Sequence, residues 1–128
     1  MVPYALLPDG AFVIHVSRLA AHTKDMLADP RVSLLIMQPE GGDTTAQALA
    51  RVTIVGEAQE TGKGSGEAHA CREAYLVRFP DAAPLTDFAD FSFFVIRPTS
   101  ARFVAGFAQA TSVSAETLAK ALAGDAVK

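Results

Sequence analysis

The chain has no tryptophan, one cysteine, three histidines and few cations, and each shortage removes a class of protein. The single cysteine, Cys71, excludes an intrachain disulfide and any CxxC metal site, so the composition suits a reducing compartment and a cytoplasmic location is expected. Eleven Lys and Arg stand against fourteen Asp and Glu, giving a formal charge of -3 and a pI near 5.5. Counterion release needs many clustered cations, so nucleic acid is not an expected partner. No apolar run approaches the roughly 20 residues that span a bilayer, and the N-terminus lacks the basic-then-apolar order of a signal peptide, so no membrane partner is expected. GxGxxG and P-loop signatures are absent. Asp87 and Asp90 have no His or Cys at ligand spacing, so no metal site is expected.

What is present is a large apolar fraction. Half of the 128 residues are apolar and a fifth are charged, enough for one domain over 1–128 with its own core. Val2 to Leu7 and Phe12 to Val16 are strand-like runs joined by the turn signal Pro8-Asp9-Gly10, which reads as a β-hairpin. Leu19 to Ala28 carries Leu19, Thr23, Met26 and Leu27 at helical spacing, and Pro30 ends it. Val32 to Met37 is a buried-type strand followed by a polar loop from Pro39 to Thr45. Ala50 to Gln59 alternates in part, which sets Arg51 and Thr53 on one face against Val52, Ile54 and Gly56 on the other. A second helix is predicted from Glu67 to Phe79, stopped by Pro80, then two strands, Phe91–Ile96 and Ala101–Phe107, separated by Pro98-Thr99-Ser100. Ser114 fits the N-cap of a C-terminal helix over about 114–124. About five strands with hairpin-like connections and three short helices predict a mainly β fold, a β-barrel with helices packed outside it.

The chemistry concentrates in Ser17-Arg18-Leu19-Ala20-Ala21-His22-Thr23-Lys24, where hydroxyls, an imidazole and two cations meet at a strand-to-helix corner. Free backbone N–H groups at such a corner suit an anion, and a phosphate-bearing ligand is the first expectation. Plainer readings exist for the same residues. His22 can cap the helix, and Arg18 and Lys24 can pair with Asp25 and Asp29 as a solvated face. His15 is a weaker ligand candidate, pointing outward from a barrel strand. Cys71 reads as a small buried hydrophobe, and Phe91, Phe93, Phe94, Phe103 and Phe107 as core or interface.

The order "LLPDGAFVIHVSRLAAHTKDMLADPRVSLLIM", "ARVTIVGEA", "REAYLVRFPDAA", "DFADFSFFVIRPTSARFVAGFAQA" resembles the pyridoxamine 5′-phosphate oxidase-related FMN-binding split-barrel proteins, and within them the haem-utilisation branch. The likeness runs from Val2 to about Ala110. It implies a six-stranded split barrel forming a homodimer, with FMN in two symmetric interface grooves and an oxidoreductase-like role, or alternatively a non-catalytic flavin- or haem-binding module. Carried over by position, Ser17, Arg18, His22, Thr23 and Lys24 would surround the FMN phosphate, Arg51 would face the flavin or its ribityl chain, and Val2, Pro3 and Tyr4 would lie beside the ring. Charge-assisted hydrogen bonds from Arg and Lys and helix N–H groups would stabilise that dianion. Members of the family usually carry a further strand before the PYA segment, so one barrel edge is expected to lack a partner. The glycine-and-arginine ending is here Ala108-Gln109, and no histidine follows His69 to act as the C-terminal haem ligand of that branch, which makes haem the less expected cofactor.

Overall fold

The computed structural model describes residues 2–37, 50–104 and 110–120. The predicted loop from Pro39 to Thr45, Phe107, the Ala108-Gln109 ending and the C-terminal helix beyond residue 120 lie outside them. The chain runs β1 (Ala5–Leu6), β2 (Phe12–Ser17), α1 (Ala21–Ala28), β3 (Arg31–Met37), β4 (Arg51–Glu60), α2 (Gly66–Arg78), a 3₁₀ segment (Pro80–Asp87), β5 (Phe91–Val104) and β6 (Ala110–Ser114). All six strands join one antiparallel sheet in the order β1-β2-β5-β4-β3, with β6 also on β5.

The predicted hairpin forms with only Ala5 and Leu6 paired in its first strand, opposite Val13 and Phe12. Its turn is closed by Gly10 N–H donating to the Leu7 carbonyl at 3.0 Å and Ala11 N–H to Asp9 Oδ1 at 3.0 Å. Gly10 adopts φ +88, and a Cβ there would lie 3.0 Å from the Ala119 backbone, so the turn is where the C-terminal helical residues seat.

The expected pair of strands around Pro98-Thr99-Ser100 is one strand of 14 residues. Its first half pairs with β2 and its last five residues with β6 on the same edge, while β4 runs along the other edge. Pro98 is absorbed at a bulge between Val55 and Gly56, where a missing N–H costs little. Gly56 allows the close approach: a Cβ on it would sit 2.6 Å from the Arg97 carbonyl oxygen. Strand β6 has no counterpart among the predicted elements. Ser114 at its end does cap the following turn, accepting from Thr117 N–H at 3.1 Å.

β2 is buried on both sides, which is why FVIHVS reads as one nearly continuous apolar run. Phe12, Ile14 and Val16 face a barrel core with Ile54, Phe94, Ile96 and Leu118. Val13, with Phe93 and Val95 of β5, faces a second core under α2, made with Cys71 and Tyr75. Cys71 is fully buried and its thiol is pushed up to about 11, chiefly by burial, as a structural role requires. No helix among the described residues is long and apolar enough to cross a membrane.

Candidate functional site

Among the described residues β1 and β3 end the five-strand path of the sheet, and β6 has β5 as its one partner. Between β3, α1 and the Val2–Tyr4 segment that leads into β1 lies a groove of about 1110 Å³. Its wall is apolar: Ile14 and Ile96 from the barrel, Met26 from α1, Val32, Leu34 and Ile36 from the inner side of β3, and Phe79 after α2. Its polar groups are few. They are His22 and Asp25 on α1, the Asp29–Arg31 pair, Ser33, and Arg78 at the end of α2.

Arg78 fixes the N-terminal wall. Its Nη1 donates to the Tyr4 carbonyl at 2.7 Å, and its guanidinium stands over the Tyr4 ring at 4.5 Å and the Phe79 ring at 5.2 Å. Tyr4 in turn packs on Phe12, ring centroids 5.3 Å apart. Across the groove Arg31 grips Asp29 in a fork, Nε to Oδ1 at 3.0 Å and Nη2 to Oδ2 at 2.6 Å. That hydrogen bonding holds the Asp29 carboxyl down to about 2.

The strand-to-helix corner is largely consumed by its own structure. Thr23 is fully buried and its Oγ1 donates to the Ser17 carbonyl at 2.7 Å. Ser17 Oγ accepts from Leu19 N–H at 3.2 Å. Arg18 pairs with Glu60 at 3.0 Å, and Ser92 Oγ donates to the same carboxylate at 2.8 Å, which places a polar plug at one end of the barrel. Asp25 and Asp29 are therefore not the partners of Arg18. Lys24 is exposed with no ion pair among the described residues. The first turn of α1 carries no side-chain cap.

Of the residues read from the sequence, Pro3, Tyr4 and His22 line the groove together with Val2, whereas Ser17, Arg18, Thr23 and Lys24 do not. Arg51 lies opposite Met37 and Val104 and shares its face of β4 with Thr53, against Val52 and the buried Ile54. It is absent from the lining. Sequence reasoning misses Arg78, Arg31 and Met26. Only Arg78 has a local signal, as the cation in the last turn before Pro80.

The non-canonical heme oxygenase HOZ, chloroplastic, of Arabidopsis thaliana is 40% identical over 116 residues, which is 91% of this chain and 34% of that protein. The structure of a heme binding protein from Mycobacterium smegmatis superposes with a TM-score of 0.82 at 35% identity, over 93% of this chain and 48% of that one. HutZ, the heme storage protein from Vibrio cholerae, shares the fold with a TM-score of 0.70 at 21% identity, over 76% of this chain and 68% of that one. The chain thus spans about a third and about half of the length of the first two. These likenesses agree with the expected split-barrel family of the haem-utilisation kind. The profile of the CREG β-barrel family matches residues 3–120, and the chain belongs to that family.

Proposed function

We propose that this chain is a haem-binding split-barrel module and that the groove between β3 and the Val2–Tyr4 segment is its binding site. The observation that carries the reading is the groove itself: an apolar wall with an imidazole on one side and a tethered guanidinium on the other. Those residues fit a flat apolar macrocycle bearing carboxylates. The face of such a ring would lie on Ile14, Met26, Leu34 and Ile36, Arg78 would meet a carboxylate with the nitrogen that Tyr4 does not occupy, and the exposed His22 imidazole would serve the metal. Bound haem would supply iron-centred redox and oxygen chemistry. The protein's own residues bind it, orient it and keep water from the inner wall. Two relatives carry haem in their names, which supports the same choice.

The module acts as a homodimer in this reading. Leu35, Met37 and Val55 are 59%, 40% and 46% exposed on one side of β3 and β4, an apolar patch continuous with the groove, which Leu35 and Met37 also line, and one that a second copy would cover. FMN is the second reading, favoured by the uncapped first turn of α1 with His22 and Lys24 beside it, which suits a phosphate. Adding hemin or FMN to the purified chain separates the two. A Soret band that shifts on binding and changes in His22→Ala is expected; flavin bands retained through gel filtration with no hemin uptake would overturn the haem reading. Sedimentation of the unliganded chain tests the dimer, and Val55→Asp is expected to give monomer.

A further inference from the structure

On the opposite side of β2, away from the groove, a second cavity of about 480 Å³ lies between the start of α2, the 3₁₀ segment and the beginning of β5. His15 is at its floor. The side chain points out of the barrel, as its place in the strand predicts, yet the residue is only 9% exposed because α2 and β5 close over it. Its ring lies 4.5 Å from Phe93, 5.1 Å from Phe91 in a stacked arrangement and 5.7 Å from Tyr75.

No described residue hydrogen-bonds the His15 imidazole. Among the described residues no buried side-chain nitrogen or oxygen is both sealed off and unpartnered, so the His15 ring nitrogens open onto the cavity. A ring nitrogen that bonds nothing in the fold and opens onto a cavity is free to donate to or accept from a ligand there. Burial also lowers the imidazole's proton affinity, so at neutral pH it is a neutral donor and acceptor.

The rim supplies charge. Arg72 donates Nε to Thr86 Oγ1 at 3.2 Å and keeps its terminal nitrogens; Lys63 donates to the Ala89 carbonyl at 2.6 Å and keeps two N–H groups. Asp87 also lines the cavity, and His69 is engaged by Glu73 at 3.1 Å. Two cations against one carboxylate favour a single negative charge over a phosphate dianion. Phe88 and Phe91 leave aromatic wall between floor and rim.

We propose that this cavity binds a small hydroxylated aromatic carboxylate, its hydroxyl bonded to His15, its ring against the wall that Phe88 and Phe91 form and its carboxylate at Arg72 and Lys63. The proposal is independent of the haem reading. Isothermal titration of the full chain with 4-hydroxybenzoate, benzoate, phenol and inorganic phosphate tests it. His15→Phe keeps the ring packing and is expected to weaken 4-hydroxybenzoate about tenfold while leaving benzoate unchanged. Arg72→Gln is expected to weaken both carboxylates about tenfold and leave phenol alone. Absence of binding by the wild type at millimolar 4-hydroxybenzoate overturns the site, as does wild-type affinity in a folded His15→Phe. Phosphate displacing the ligand at equal concentration overturns the assignment of ligand charge. If His15→Phe does not fold, the nitrogen resonances of the wild-type His15 ring decide the matter: they move with 4-hydroxybenzoate, or the proposal fails.

Discussion

The two faces of the β2–β5 pair are built by alternate residues of the same strands and solve the problem of buried polarity differently. On the inner face Phe12, Ile14, Phe94 and Ile96 form an apolar core, and at its end Ser92 and Arg18 both bond the Glu60 carboxylate. On the outer face Val13, Phe93 and Val95 pack under α2 with Cys71 and Tyr75, and His15 sits beside them with rings for neighbours and no hydrogen bond. A satisfied polar cluster plugs a barrel and fixes its register. A polar group that bonds nothing in the fold and opens onto a cavity is available to a ligand. The inner face therefore reads as scaffold for the groove, and the outer face as the less finished surface.

Emptying each side in turn tests whether the two faces differ in this way. Phe94 is 1% exposed at the centre of the barrel core, and Phe94→Ala is expected to cost about 3–5 kcal/mol, measured by urea unfolding. A loss below about 1 kcal/mol would mean that the inner core collapses around the gap and is not the scaffold. On the outer side Cys71 is fully buried, and Cys71→Ser places a hydroxyl among Val13, Tyr75 and Val95 at a cost of about 1–3 kcal/mol. The same unfolding curve reads it, and a cost equal to that of Phe94→Ala would erase the ranking of the two layers.

Much of the fold is legible in the sequence because burial on both faces leaves near-continuous apolar runs. FVIHVS and FSFFVI announce strands, and Pro30 and Pro80 mark where helices stop. Pro98 misleads, since a proline signals a break unless a bulge absorbs it, and the bulge depends on Gly56 across the sheet. The site is less legible. The run from Ser17 to Lys24 looks like an anion site, but its Thr23 and Arg18 have bonds to Ser17 and Glu60, and nothing local shows that Glu60 arrives there. The groove is made by distant residues, with Arg78 reaching the Tyr4 carbonyl, so local spacing carries no trace of it. His15 faces outward as strand alternation predicts, and only the packing of α2 turns that position from exposed into buried.

A smaller change is expected with pH, and it falls on His15. Burial lowers the His15 pKa in the folded protein from an ordinary 6.5, so the unfolded chain binds the proton more readily. Above about pH 6.5 both states are neutral and His15 contributes nothing to pH dependence. As pH falls below that value the unfolded state is protonated first, and stability declines until the folded-state pKa is reached, where the loss levels off. Phe91, Phe93 and Tyr75, which pack against the ring, carry no charge near neutrality, and of Asp87, Lys63, Arg72 and His69, which line the cavity it faces, none is hydrogen-bonded to it. His15→Phe removes this contribution and leaves every other side chain in place. Melting temperatures taken from about pH 7.5 to about pH 5 should therefore fall less steeply in His15→Phe than in the wild type, whatever the offset between them at neutral pH. Parallel curves would mean that the imidazole accepts its proton as easily inside the fold as outside, which a ring packed between three aromatic side chains does not do.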